Sequence, residues 1–170
     1  MTIETNFKVS SLKKNPSKEL LKNIYYLNQD NIPEVGSLAS VDELVKLLNI
    51  SKANYFVTFD NSLIGFVVCL RERSEYKSKN YKYFSDRLDK FLYIDRIAIK
   101  KNMRRKGIGK KIYNQIQQVA DLNKIPLCCE INTTPLNQPS MQFHKKLGFK
   151  QVGHNSFNDH SVAYFIKNYK

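Results

Sequence analysis

The stretch FLYIDRIAIKKNMRRKGIGKKIYNQIQQVA, residues 91–120, decides how this chain folds. Its first part, Phe91–Lys100, is an apolar run that predicts a strand. A basic loop follows, and the glycine pair in Gly107-Ile108-Gly109 leads into Ile108–Ala120, a segment with apolar residues on one helical face. The order of strand, basic loop, glycine pair and amphipathic helix is typical of a loop that binds an anionic ligand.

The physical reason lies in the backbone of this loop. Glycines let the chain approach a ligand closely, and the first N–H groups of a helix have no acceptor within the helix. Those donors and the positive end of the helix dipole suit a phosphate or pyrophosphate. Basic side chains around them add charge-assisted donors: Arg104, Arg105, Lys106, Lys110 and Lys111.

Other phosphate-binding motifs fit this loop poorly. A P-loop requires G-x-x-x-x-G-K-[ST], but here Lys111 follows Gly109-Lys110 and the first glycine is missing. A dinucleotide-binding fingerprint requires a third glycine where Ile112 stands. Taken alone, the loop also fits a nucleic-acid patch or a solvated basic turn that caps a helix.

Length and composition indicate one globular domain, residues 1–170, with 42% hydrophobic and 25% charged residues. No apolar run approaches the roughly 20 residues that span a bilayer. The start of the chain, Met1–Ser11, lacks an apolar core followed by a cleavage site, so we expect a cytoplasmic protein without a signal peptide. Three cysteines and three histidines lack the spacing of a disulfide framework or a metal site.

The net charge of +13 is compatible with nucleic acid, an anionic membrane surface or an anionic ligand as partner. Lysines occur along the whole chain, which indicates a compositional bias. The one dense basic cluster is Lys100–Lys111, and aromatic residues are not interleaved with it as a nucleic-acid stacking surface requires.

The remaining elements predict a mixed α/β domain built around one sheet. Helices are predicted at Lys18–Gln29, after the capping box of Ser40 and Glu43, and at Ser140–Leu147 with Gly148 as its closing residue. The predicted strands are Asn54–Phe59 and Leu63–Arg71 around the turn Asp60-Asn61, then Pro126–Asn132, Lys150–Val152 and Val162–Ile166.

Two motifs together resemble the GNAT superfamily of N-acetyltransferases. Residues 104–109 fit R-x-x-G-x-G directly after the strand Ile97–Ile99, and residues 137–149 fit N-x-x-S-x-x-F-[YH]-x-x-x-G-F. The resemblance covers about Tyr55–Phe165 in order and spacing. It implies a GNAT fold, with a mixed, mostly antiparallel central sheet flanked by helices, and acetyl-coenzyme A as co-substrate.

The resemblance assigns cofactor roles to particular residues. It implies that the backbone of Ile97, Ala98 and Ile99 holds the acetyl-pantetheine arm. Asn137 is implied to contact the pantetheine, with Asn132 as a weaker candidate. The pyrophosphate would be held by Arg104, Arg105, Lys106, Gly107, Ile108, Gly109 and Lys110. The chain departs from the family pattern at Arg105, often glycine elsewhere, and at Lys101-Asn102, where proline is common.

Two residues are predicted to be catalytic. His144 stands where the family commonly has a tyrosine that protonates the leaving thiolate, and a packed or helix-capping histidine is the alternative. Asp95 is predicted to take a proton from the ammonium acceptor, directly or through water, and a structural ion pair is the alternative. Asp95 shares strand parity with Tyr93 and faces away from Arg96.

Two further segments are predicted to border the acceptor. The connection Glu72–Lys90 is longer than a plain hairpin loop and carries aromatic residues that either cover the acceptor site or pack a surface helix onto the sheet. The turn Asn28–Val35 is the other predicted acceptor wall.

The predicted function is acetyl transfer from acetyl-coenzyme A to a primary amine by direct attack. Cys69, Cys128 and Cys129 lie outside the motif positions, which argues against a covalent acetyl-enzyme. The predicted partner is a small-molecule or peptide amine, not a membrane, and a homodimer is left open. The alternatives are a non-catalytic nucleic-acid-binding module and a GNAT-fold protein that senses coenzyme A.

Overall fold

The computed structural model describes residues 7–170, and these residues form two compact units. The first unit contains the described residues up to Leu70 together with Arg96–Ile116. The second contains Arg71–Asp95 and Gln117–Lys170. One strand and one helix begin in one unit and continue into the other. The expectation of a single domain stays a prediction.

The chain forms five α-helices, seven strands and one short 3₁₀ turn within the described residues. In chain order they are β1 Lys8–Ser11, α1 Lys18–Gln29, α2 Val41–Ile50, β2 Lys52–Phe59, β3 Ser62–Arg71, α3 Lys79–Ser85, β4 Leu92–Ile99, the turn Lys101–Met103, α4 Ile108–Asn123, β5 Leu127–Thr134, α5 Gln138–Lys146, β6 Lys150–Ser156 and β7 Ser161–Lys167.

The strand order is β1-β2-β3-β4-β5-β7-β6. The pairs β1–β2, β2–β3, β5–β7 and β6–β7 are antiparallel, and β4–β5 is parallel. The predicted fold class, a mixed and mostly antiparallel sheet flanked by helices, is therefore confirmed.

In the first unit, the hairpin of β2 and β3 positions the end of β4. Asp60 and Asn61 close this hairpin with left-handed φ angles of 47° and 61°, as the turn signal predicted. Lys100 N donates to Ile64 O at 2.8 Å, which ties the end of β4 to β3. A side chain at Gly65 would place its Cβ 3.2 Å from Ala98 O, so glycine allows the two backbones to lie close together.

The two helices of the first unit begin at side-chain caps. Ser17 Oγ accepts a hydrogen bond from Leu20 N at 3.1 Å, at the predicted start of α1. Ser40 Oγ accepts from Glu43 N at 3.2 Å, and the Glu43 carboxylate accepts from Ala39 N. The predicted capping box therefore exists. Both helices bury one apolar face, formed by Leu21, Ile24, Leu27, Leu44, Leu47 and Leu48.

In the second unit, α3 occupies the long connection and packs against the first part of β4. Tyr81 and Phe84 are buried, and the Phe84 ring lies 5.8 Å from the Tyr93 ring. Tyr81 also donates its hydroxyl to Arg71 O at 2.7 Å. Of the two alternatives predicted for the aromatic residues of Glu72–Lys90, Tyr81 and Phe84 show the second: they pack a helix onto the sheet.

The sequence analysis missed β1 and placed several ends short. The segment Lys8–Ser11 contains a single apolar residue, so its strand conformation depends on pairing with β2. Helix α5 begins earlier than predicted because Asn137 is its cap and a proline occupies its first turn. The prediction that Met1–Ser11 contains no signal peptide concerns a segment whose first six residues lie outside the described residues. Within residues 7–170, no helix is long and apolar enough to cross a membrane.

Candidate active site

The predicted pyrophosphate loop has the backbone of a ligand-binding turn. Arg105 and Gly107 adopt left-handed φ angles of 62° and 82°, and the chain then enters α4 at Ile108. No atom lies within 4 Å of the position that a Cβ of Gly107 would occupy, so that side of the loop is open. The left-handed angle of Arg105 explains why glycine suits this position, since a non-glycine residue there costs about 1 to 2 kcal/mol.

The charges of this loop point away from the protein interior. Arg105, Lys106 and Lys110 are exposed, whereas Ile108 and Ile112 lie on the buried face of α4. Exposed cations around an open glycine at a helix start provide charge-assisted donors for an anion. The loop therefore has an open backbone and exposed cations, and its role in holding the pyrophosphate stays a prediction.

Arg104 has a second role that the motif did not indicate. Its Nη2 donates to Asn31 Oδ1 at 2.6 Å, and its Nε donates to Ile99 O at 3.4 Å. Asn31 is only 3% exposed, and its own Nδ2 donates to Leu27 O at 2.7 Å, which orients the amide. Arg104 thus braces the loop against the segment that follows α1.

A second arginine anchors that same segment to β4. Arg96 is 7% exposed, and its Nη1 donates to Asn28 Oδ1 at 2.9 Å and to Gly36 O at 3.1 Å. Because the predicted acceptor wall, Asn28–Val35, comprises the end of α1 and most of this segment, both arginines help to set its position.

Alternate residues of β4 differ in exposure, as strand parity predicts. Asp95, Ile97 and Ile99 are partly exposed, whereas Arg96 and Ala98 are buried. Among the described residues, the β4–β5 register consists of Leu92↔Leu127 and Tyr93↔Cys128. Asp95 therefore lies beyond the last β4–β5 pair, on the same face as Tyr93.

A carboxylate that the sequence analysis missed lies beside Tyr93. The Tyr93 hydroxyl donates to Glu130 Oε2 at 2.7 Å, and Asn80 Nδ2 donates to Glu130 Oε1 at 3.3 Å. The amide of Asn80 is in turn held by Tyr164, whose hydroxyl donates to Asn80 Oδ1 at 2.8 Å. Side chains of β4 and α3 thus contact one carboxyl group on β5, and a side chain of β7 holds the contact from α3.

The environment of Glu130 favours its protonated form. The pKa of Glu130 is raised to about 8, mainly by desolvation and also by the charge of Asp95, although the hydrogen bonds from Tyr93 and Asn80 oppose this rise. Burial, followed by the charges of Glu130 and Asp95, also raises the pKa of Tyr93 well above its usual value. Asp95, Glu130 and Tyr93 therefore interact electrostatically in one cluster.

Asn137 and His144, the other two predicted site residues, both contact Ser140 in the first turn of α5. Asn137 Oδ1 accepts from Ser140 N at 3.2 Å, so the residue predicted to contact pantetheine also caps the helix. His144 Nδ1 lies 2.8 Å from Ser140 O and 3.3 Å from Ser140 Oγ. The His144 ring packs edge-on against Phe143 and Phe149.

The contact with Ser140 O decides the tautomer of neutral His144. A carbonyl oxygen only accepts hydrogen bonds, so Nδ1 carries the proton. Burial lowers the pKa of His144, although the bond to Ser140 O opposes the change. At neutral pH the ring is therefore mainly uncharged, with its proton on Nδ1.

The cysteines provide no activated nucleophile. Cys69, Cys128 and Cys129 are buried, and burial raises the pKa values of the Cys128 and Cys129 thiols. Their thiolate forms are disfavoured, so nucleophilic attack by these groups is disfavoured too. Over residues 7–170, no group of three or more His, Cys, Asp or Glu side chains is arranged to hold a metal ion.

A mixed α/β fold with an open basic loop between β4 and α4 defines a protein that binds a phosphate-bearing cofactor. The model of the acetyltransferase (GNAT) family matches residues 21–149, and the chain belongs to this family. It is accordingly an acyltransferase with acetyl-coenzyme A as co-substrate.

Solved structures share the fold. The ribosomal-protein-S18-alanine N-acetyltransferase from Escherichia coli matches with a TM-score of 0.69 and 12% identity, over 95% of this chain and 93% of that chain. Arabidopsis thaliana Naa50 in complex with the bisubstrate analogue CoA-Ac-MVNAL matches with a TM-score of 0.71 and 14% identity, over 96% and 99%. Arabidopsis thaliana NAA60 in complex with acetyl-CoA matches with a TM-score of 0.72 and 14% identity, over 96% of this chain and 98% of that chain. At identities this low, the likeness establishes the fold alone.

The open backbone of Gly107 yields a prediction. In Gly107→Val, a branched side chain at a left-handed position should occupy the open side of the loop and abolish acetyl-coenzyme A binding in calorimetry. Gly148→Val is the matched control, because Gly148 has a similar φ of 89° at the end of α5. Both variants should lose about 1 to 3 kcal/mol of stability, but only the first should lose affinity. An unchanged Kd in Gly107→Val would contradict the loop assignment.

Proposed function

We propose that this chain is an N-acetyltransferase that transfers the acetyl group of acetyl-coenzyme A directly to a primary amine. The observation that carries this proposal is the cluster of Asp95, Glu130 and Tyr93 on β4 and β5. Two carboxyl groups close enough to influence each other attract a cationic amine, and one whose pKa lies near neutrality can accept its proton.

The proposed reaction needs a proton acceptor and a proton donor. The lone pair of the neutral amine attacks the thioester carbonyl carbon, a C–N bond forms and the C–S bond breaks. The amine nitrogen loses one proton, and the departing thiolate gains one. An unperturbed lysine-like amine has a pKa of about 10.4, so it must also lose its extra proton before attack.

Asp95 and Glu130 are the proposed proton acceptors. Asp95 remains the first candidate from the sequence, because it lies on β4 two residues before the strand segment proposed to hold the acetyl-pantetheine arm. Glu130 joins it, because its carboxyl group interacts with Asp95 and binds a proton more readily than an ordinary glutamate. The proposed role of the pair is to collect the proton that the amine releases.

His144 is the proposed donor to the thiolate, under a condition that follows from its tautomer. Because Nδ1 of the neutral ring donates to Ser140 O, His144 donates a proton from Nε2 only in its doubly protonated form. Its lowered pKa makes that form scarce at neutral pH. This role therefore requires that turnover decline as the pH rises through the pKa of His144.

The proposed acceptor is a small-molecule or peptide amine. Peptide or protein amines are supported by the matched structures named for ribosomal protein S18 alanine and for the analogue CoA-Ac-MVNAL. The net charge of +13 favours an acceptor that is anionic or amphoteric over a strongly basic one. A homodimer and a cytoplasmic location stay predictions.

Amine-dependent thiol release tests the proposal. We expect acetyl-coenzyme A to release free thiol when a panel of peptides with free N-termini and small primary amines is supplied. The same peptides with blocked N-termini are the matched control and should release none. Mass spectrometry should show one added acetyl group on the amine.

Two results would favour the alternatives. Tight RNA binding that persists at physiological salt, with no response to acetyl-coenzyme A, would support a nucleic-acid-binding module, since nonspecific polyanion affinity collapses as salt rises. Calorimetric binding of acetyl-coenzyme A without turnover of any amine would support a sensor.

The catalytic assignments predict losses in turnover. We expect Asp95→Asn and His144→Phe each to lower kcat by about 100- to 10,000-fold, the usual cost of removing a positioned acid or base. The Kd for acetyl-coenzyme A should change little. Each variant should also lose one limb of the pH–rate profile. If both variants keep wild-type kcat, the proton transfers run through other groups.

The pKa of Glu130 predicts a stability change that needs no acceptor. A carboxyl whose pKa rises from 4.5 in the unfolded chain to about 8 in the folded protein stabilises the fold fully below 4.5 and loses this contribution as the pH approaches 8. We therefore expect wild type to lose about 4 kcal/mol of unfolding free energy relative to Glu130→Gln between about pH 5 and about pH 9.

Urea unfolding at the two pH values measures this difference. The exposed Glu75 provides a matched control, since Glu75→Gln should show the same pH dependence as wild type. If Glu130→Gln also follows wild type at both pH values, Glu130 ionises as an ordinary carboxylate and is not the proposed base.

A further inference from the structure

We propose that Asn80, at the start of α3, is a positioning residue that fixes the orientation of the Glu130 carboxyl group and sets its affinity for a proton. This inference rests on the proposed function, in which Glu130 accepts a proton. It assigns a role to the long connection Glu72–Lys90, whose sequence carries no motif for such a role.

The contacts of Asn80 support this role. Its Nδ2 donates to Glu130 Oε1, while Tyr93 donates to Glu130 Oε2, so each carboxyl oxygen has its own donor. Tyr164 donates to Asn80 Oδ1 at 2.8 Å, and a hydroxyl donor at Oδ1 requires that Nδ2 face Glu130. The Tyr164 hydroxyl therefore holds the end of the amide that faces away from the carboxylate.

Helix α3 is held in place independently of this amide. The Tyr83 ring stacks on the Tyr164 ring with centroids 3.8 Å apart and planes inclined by 15°. The Tyr83 hydroxyl donates to Val152 O at 3.0 Å, and Arg87 lies 3.9 Å above the Tyr83 ring. A side chain at Gly153 would overlap the Tyr83 hydroxyl, so glycine is required for this contact.

The direction of the effect follows from the charge of each state. An N–H donor stabilises the ionised carboxylate, so removing it raises the pKa of Glu130. The titratable groups that interact with Glu130 are Tyr93 and Asp95 on β4, Tyr164 on β7 and the adjacent Cys129. The effect of Asn80 does not require a change in the protonation state of any of these groups, because an amide does not titrate.

Carbon-13 NMR of glutamate-labelled protein tests the proposal without any acceptor. The chain contains seven glutamates, and the resonance lost in Glu130→Gln identifies Glu130. In Asn80→Ala, we expect the midpoint of the Glu130 titration to rise by about 0.5 to 1 pH unit. Tyr164→Phe should shift it in the same direction by less, because the amide then loses its orientation but not its donor.

Tyr83→Phe is the matched control. It removes a hydroxyl from the same aromatic stack that contacts Val152 instead of Asn80, so the Glu130 midpoint should stay at its wild-type value. If Asn80→Ala does not fold, Tyr164→Phe alone decides the proposal. In an active assay, the limb of the pH–rate profile that reports the proton acceptor should move with the NMR midpoint.

The outcomes separate this inference from the proposed function. An unchanged or lowered midpoint in both variants would overturn the role of Asn80 and leave Glu130 as the proposed base. A shifted midpoint without any change in the pH–rate profile would support the contact and contradict the catalytic use of Glu130.

Discussion

Strand β4 carries a cation and an anion at consecutive positions, and the structure around the site depends on how both are satisfied. Arg96 points to one face, where Asn28 and Gly36 accept its hydrogen bonds and fix the segment after α1. Asp95 points to the other face, where its charge acts on Glu130 and Tyr93. Charged groups in a buried strand are costly unless they are matched. Arg96 therefore has a structural role on one face, and Asp95 lies on the face where we propose the chemistry.

The loop that follows β4 also contains a charged residue with a structural contact. Arg104 belongs to the motif for pyrophosphate binding, yet its guanidinium contacts Asn31, which is itself oriented by Leu27 O. Its position within the loop thus depends on the end of α1. Arg105 and Lys106 are exposed, and Lys106 contacts only the nearby Met103 sulfur within residues 7–170, so both remain the residues predicted to contact the pyrophosphate. The motif alone does not show that Arg104 contacts the segment after α1.

Local patterns predicted the parts of the fold that local physics controls. The capping box at Ser40, the left-handed turn at Asp60-Asn61 and the glycine at position 148 each depend on a few adjacent residues. Strand β1 was missed because its conformation comes from pairing with β2. Glu130 could have been found, because a carboxylate within an apolar strand raises the same question as Asp95. Asn80 could not, since its meaning depends on β5 and β7, which lie far from it in sequence.

The buried network also explains why two carboxyl groups can coexist at one site. Like charges a short distance apart cannot both ionise easily, so one of them keeps a proton near neutrality. Glu130 is the better holder of that proton, because desolvation raises its pKa to about 8 even though Tyr93 and Asn80 donate hydrogen bonds that favour its ionised form. In the proposed mechanism, the ionised form of Glu130 accepts the proton that a cationic amine must lose, and its raised pKa makes it a stronger base than an ordinary glutamate.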